Sequence, residues 1–176
     1  VENMLYARDG LMIGICNGFQ ALIKLGLVPF GKIVPLSSES PTLTYNTIGR
    51  HQSQLALTKI CTNKSPWLMH CKVGEVYNIP ISHGEGRFVA SDEVIAKLIE
   101  NGQIATQYVD LNGEPTMDLA YNPNSSMYAI EGIISPDGRV LGKMGHTERI
   151  SSDTCVNVDG NKEQLLFKGG VDYFRI

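Results

Sequence analysis

The sequence predicts an α/β protein: a three-layer sandwich around a mostly parallel sheet, with an antiparallel insertion. Three observations carry that reading. A nearly continuous apolar run at residues 11–15 is followed at once by an amphipathic segment at 17–25. A helical pattern at 91–100 leads closely into a strand pattern at 104–109. Two further apolar runs, 127–134 and 139–144, are joined by Ser135-Pro136-Asp137-Gly138, residue types that favour a tight turn.

Taken in order, residues 1–10 read as the last turns of an amphipathic helix, with Val1, Met4, Leu5 and Arg8 at helical spacing and Gly10 as its stop. A start in mid-helix without an initiator Met predicts that the chain is the C-terminal portion of a longer, multidomain polypeptide, with the front of this domain missing. Residues 11–15 have the composition of a strand covered on both faces. Gly26 ends the helix at 17–25. Residues 35–52 are rich in Ser, Thr, Pro and Asn and read as irregular. Residues 53–61 alternate through Leu55, Leu57 and Ile60, which predicts a strand. A second strand at 75–82 delivers His83-Gly84-Glu85-Gly86-Arg87-Phe88 as a glycine-rich loop. The helix at 91–100 has Ser91 to cap it, Asp92 and Glu93 in its first turn and Gly102 to stop it. The tail, 161–176, holds one short helix before an extended end.

The bulk numbers bound the function. With 176 residues, 43% hydrophobic and 19% charged, the chain suits one domain, residues 1–176, with a real core. A net charge of -3 and the lack of any Lys/Arg run argue against nucleic acid or a membrane surface as the main partner. Every apolar stretch falls short of the ~20 residues that a membrane span needs. No signal-like N-terminus is visible. The cysteines, Cys16, Cys61, Cys71 and Cys155, are dispersed, which suits a reducing, cytoplasmic setting. With His70 and His83 they match none of the usual zinc spacings, so no metal site is expected.

The chemistry concentrates at Gly14-Ile15-Cys16-Asn17-Gly18. A strand, a sharp turn and a helix in that order put a thiol at the top of a sheet, as in the Gly-x-Ser-x-Gly nucleophile elbow. The helix N-terminus favours the thiolate. A nucleophilic cysteine needs a base and a group to orient that base. Of His51, His70, His83 and His146, the last is distinctive, because it follows a core strand directly and precedes Glu148 by two residues. In extended backbone those two side chains share a face, giving a Cys16–His146–Glu148 triad. His83 is the rival base, but its glycine-rich surroundings read as a pocket wall.

Together these motifs resemble the class I, triad-type glutamine amidotransferases, whose fold is flavodoxin-like. The stretch Gly14-Ile-Cys-Asn-Gly-Phe-Gln-Ala-Leu-Ile-Lys-Leu-Gly-Leu-Val-Pro29, the loop Ser82-His-Gly-Glu-Gly-Arg-Phe88, Asn122-Pro-Asn-Ser-Ser126 and Gly145-His-Thr-Glu-Arg149 are similar to the phosphoribosylformylglycinamidine synthase family in particular. The resemblance implies a glutaminase that forms a cysteine thioester and supplies ammonia for ATP-dependent amidine formation in purine synthesis. It implies Cys16, His146 and Glu148 as catalytic residues, and Gln20, Asn17, His83 and Gly84 as binding residues for glutamine. It also implies a synthase partner, either a domain of the same polypeptide or a separate subunit. ATP and Mg²⁺ are expected on that partner, and this chain is expected to carry no cofactor, since it lacks a Gly-x4-Gly-Lys-Ser/Thr phosphate loop. In that family the domain begins further upstream, with a first strand and a glycine-rich loop that supplies an oxyanion-hole amide. Two local departures stand out. The family more often has Met-Pro-His-Pro-Glu-Arg where this chain has Met144-Gly-His-Thr-Glu-Arg149, and Gly where it has Ser125. The glutaminase of a different synthetase, or a catalytically silent docking module, are the competing readings.

Overall fold

A computed structural model describes residues 1–175. A six-stranded sheet runs in the order β1-β8-β7-β6-β3-β4, where β1 is Met12–Ile15, β3 Gln52–Ile60, β4 Val76–His83, β6 Ile104–Tyr108, β7 Ile130–Ile134 and β8 Val140–Lys143. A separate two-stranded ribbon pairs β2 (Thr42–Tyr45) with β5 (Glu85–Val89). The helices are α1 (Asn17–Leu25), a short interrupted turn α2 (Leu27–Phe30), α3 (Asp92–Glu100) and α4 (Leu166–Tyr173).

The α/β class and the layering agree with the sequence. Strand neighbours point to opposite faces, and here they fill two separate cores. Ile133 and Val140 pack with Phe19, Leu22 and Ile95 of α1 and α3, whereas Ile134 and Leu141 pack with Leu166 of α4. The sheet itself is mixed rather than mostly parallel. Only β1 and β8 run parallel among the described residues; the other pairs in the six-stranded sheet are antiparallel. The reason lies in the connections. The turn between β7 and β8 is too short for the crossover that a parallel pair requires, while β1 reaches β8 only through most of the chain.

Three local expectations change. The N-terminal segment is a π-helical turn, Asn3–Ala7, with Arg8 N–H donating to Asn3 O. Of its apolar residues only Leu5 is buried. The polar stretch at 35–52 contains β2, and the loop expected at 83–88 holds all but the last residue of β5, its antiparallel partner. Among the described residues each strand pairs only with the other, so neither shows the long apolar alternation of a central strand. The tail helix forms as expected, and Ile176 lies outside the described residues.

The seat of α1 is made by two glycines side by side. Gly14 of β1 pairs with Gly142 of β8. A Cβ on Gly142 would lie 2.2 Å from the Phe19 ring, and one on Gly14 would lie 2.6 Å from the Gly18 backbone. The flat patch lets the first turns of α1 rest directly on the sheet. A Cβ on Gly18 would face open space, so the close approach depends on Gly14 and not on Gly18. Gly14→Ala is therefore expected to destabilise the fold by about 1–3 kcal/mol through overpacking, read as a lower denaturation midpoint. A variant of unchanged stability would show that α1 lifts off the sheet without penalty.

Candidate functional site

Cys16 sits at the junction of β1 and α1 with φ 52° and ψ −106°. A non-glycine residue in that region is strained and persists because the surrounding structure holds it there. Its N–H donates to Lys143 O at 2.8 Å and its carbonyl accepts the Gln20 N–H at 3.1 Å, so the turn is tied both to β8 and to the helix it starts. The thiol donates to Ser82 O at 3.7 Å.

The sequence argument from the helix terminus predicts a depressed thiol pKa. The structure reverses the balance. Burial pushes the Cys16 thiol above its ordinary value, outweighing the opposing influence of the Asn17 N–H and the Arg149 charge, and Glu148 adds to the rise. The resting group is a thiol, so its attack needs an external base.

His146 stands three residues past the end of β8, on the same sheet edge as Cys16, because β1 and β8 are parallel neighbours. Its Nδ1 meets Glu148 Oε1 at 2.6 Å, and its N–H donates to Pro80 O at 2.8 Å. The pairing expected from sequence is present, but the backbone is not extended. A 3₁₀ turn, Thr147–Arg149, brings Glu148 round to the ring. His146 Nε2 is buried and has no hydrogen-bond partner. It makes no hydrogen bond to Cys16, whose thiol is on Ser82 O instead.

A cleft of about 310 Å³ opens beside the thiol. It is lined by Cys16, Asn17, Gln20, His83, Gly84 and Glu85, which brings the sequence-derived nucleophile and all four sequence-derived binding residues together. Its size suits a small molecule. His146 and Glu148 do not line it; Glu148 lines a different cavity, with Thr147 and Gln164. Gln20 Nε2 donates to Glu85 O at 2.7 Å, fastening α1 to the cleft wall.

His83 is almost fully buried, and neither ring nitrogen is hydrogen-bonded. Burial holds its pKa down to about 4, against the raising influence of Glu131. Between that value and the ordinary 6.5 the unfolded chain binds a proton that the folded chain does not, so stability rises with pH across the window. His83→Gln is expected to remove about 3 kcal/mol of this rise, seen by comparing denaturation midpoints on either side of the window. An identical pH dependence in the variant would show that His83 titrates freely.

Several residues that hold the cleft wall were not legible as such. Asn46 N–H donates to Gly84 O and its Nδ2 to His83 O, each at 2.9 Å. Asn124 Nδ2 donates to Gly86 O at 2.7 Å, while Ser126 Oγ accepts the Phe88 N–H at 3.0 Å. The Asn122–Ser126 motif thus clamps β5. Ser125 takes φ 60°, the left-handed region that favours glycine. Among the described residues no group of His, Cys, Asp and Glu is arranged to hold a metal ion, and no helix is long and apolar enough to cross a membrane.

The site thus joins a thiol on a strained strand–helix turn, lining a small cleft, with a carboxylate-paired imidazole at the end of the neighbouring strand, an arrangement of the kind the amidotransferase class uses. Residues 1–174 match the CobB/CobQ-like glutamine amidotransferase domain, and the chain belongs to that family. It is similar to phosphoribosylformylglycinamidine synthase subunit PurQ of Gloeobacter violaceus, with 36% identity over 155 residues, 88% of this chain and 61% of that protein. The same subunit of Moorella thermoacetica is 37% identical over 158 residues, 89% of this chain and 61% of that one. Among solved structures, PurLQS from Thermotoga maritima superposes with a TM-score of 0.68 and 27% identity, covering 96% of this chain and 64% of the matched chain. The chain therefore spans less than two thirds of the length of these relatives.

Proposed function

We propose that this chain is the glutaminase of a phosphoribosylformylglycinamidine synthase, releasing ammonia from glutamine for the amidation of formylglycinamide ribonucleotide. The observation that carries the reading is Cys16, held at positive φ on the lip of a small cleft, one strand away from the His146–Glu148 pair. The names of its relatives support the choice of acceptor.

In the reaction, His146 Nε2 takes the Cys16 proton and the sulfur attacks the glutamine side-chain carbonyl carbon. The Asn17 N–H, at the start of α1, is aimed at the developing oxyanion; one such donor is typically worth about 3 kcal/mol. His146 then protonates the leaving nitrogen, the C–N bond breaks, and ammonia departs from a glutamyl thioester. Water adds to the thioester with His146 as base, and glutamate leaves as the thiol recovers its proton. Glu148 fixes the imidazole tautomer and stabilises its charged form. Gln20, Asn17, His83 and Gly84 form the walls that receive glutamine. ATP and Mg²⁺ act on the partner synthase, in the same polypeptide or a separate subunit, in a cytoplasmic setting.

Incubating the protein with an electrophilic glutamine analogue and mapping the adduct by mass spectrometry tests the reading. Modification is expected at Cys16 and to be prevented by glutamine. An unmodified Cys16 in the complete, synthase-competent enzyme would sink the proposal and favour a silent docking role.

A further inference from the structure

The residues on either side of His146 are held from beneath by an ion pair buried in the sheet. Glu131 on β7 and Lys143 on β8 are at most 1% exposed, with Nζ and Oε1 3.5 Å apart. Lys143 Nζ donates to Gly145 O at 2.9 Å and to Thr147 Oγ1 at 3.0 Å. Glu131 Oε1 accepts the Gly145 N–H at 2.5 Å, and its Oε2 accepts the Thr106 hydroxyl. Thr147 Oγ1 donates onward to Gln164 Oε1 at 2.7 Å. A Cβ on Gly145 would lie 2.9 Å from Glu131 Oε1 and 3.1 Å from Lys143 Nζ, so the pair presses against the backbone at the one residue type that leaves it room.

A buried ion pair is a poor device for stability alone, since an apolar pair of similar volume often does as well or better. Here its polar atoms are directed to one short segment. Gly145 is tied to both charges, its carbonyl to Lys143 and its N–H to Glu131, and the Thr147 hydroxyl is tied to Lys143, while His146's own N–H is tied to Pro80 O. Proline would stiffen such a segment through its fixed φ; Gly145 and Thr147 cannot, and the network replaces that stiffness with hydrogen bonds.

We propose that Lys143, Glu131 and Thr147 form a positioning device that fixes the His146 imidazole for proton transfer with Cys16, and so governs turnover rather than glutamine binding. The inference rests on the glutaminase reading above. Its prediction concerns kcat, because an imidazole displaced by about 1 Å loses on the order of 100-fold in rate while the cleft walls stay in place.

The test is steady-state glutaminase kinetics of the complete enzyme. Thr147→Val, which removes only the hydroxyl, is expected to lower kcat about 10-fold with KM unchanged, and Thr147→Ser to restore it. Lys143→Met with Glu131→Gln is expected to lower kcat about 100-fold. Denaturation midpoints are recorded for each variant, and if the double variant fails to fold, Thr147→Val decides alone. Wild-type kcat in Thr147→Val, or a rise in KM with kcat intact, overturns the positioning role. Cys16→Ala distinguishes the two levels: if it abolishes turnover while Thr147→Val is wild type, only the positioning proposal fails, whereas turnover surviving in Cys16→Ala overturns both.

Discussion

Cys16→Ala is expected to abolish glutamine-dependent amidation in the complete synthase, a fall on the order of 10⁴–10⁶-fold, and to leave synthesis from free ammonia at its original rate. The split follows from the geometry. The thiol is the group at the strained β1–α1 turn that lines the cleft; it packs only at the margin of one core and takes no part in the ion-pair network. Alanine fits wherever cysteine fits, so the fold is retained. Measuring both reactions on one preparation checks the claim. Loss of the ammonia-dependent reaction as well would mean that residue 16 supports the synthase partner and does not act in glutaminase chemistry alone.

His146→Ala is the second large effect. Because burial keeps the Cys16 thiol protonated at rest, the base is required for the first step and not merely for a later one. Removal of a positioned general base typically loses 10²–10⁴-fold, so thioester formation is expected to slow by about that factor. Rapid-quench measurement of the glutamyl-enzyme burst reports this step directly. An unchanged burst would move the role to His83, which lines the cleft beside Cys16. Its depressed pKa leaves it neutral at pH 7 but a weaker proton acceptor than an ordinary imidazole.

How far the sequence alone reached is best judged from particular residues. The elbow at Cys16 was legible because the signal is local: an apolar run, two glycines and an amphipathic helix within a few residues. The His146–Glu148 pair was legible for a reason that proved wrong, since a 3₁₀ turn and not an extended strand brings the two together. The thiol pKa was misjudged because the helix terminus is visible in sequence while burial is a property of the assembled fold. Strand β2 was hidden in a polar stretch because its partner β5 lies some forty positions away and carries the glycines of an apparent loop. Glu131 and Lys143 sit in strands whose apolar neighbours dominate the pattern. Nothing in the spacing announces that two opposite charges in adjacent strands meet beneath the His146 turn.

The left-handed backbone at Cys16 has a consequence for how this protein can change over time. Any side chain at that position carries a conformational penalty of order 1–3 kcal/mol that glycine would relieve. The imidazoles of His83 and His146 add buried nitrogens without partners a short way off. Thermal robustness and reactivity are therefore in tension at the same few residues. A lineage selected for heat tolerance has to find its gains elsewhere in the two cores, because the cheapest local improvements are the ones that silence the thiol.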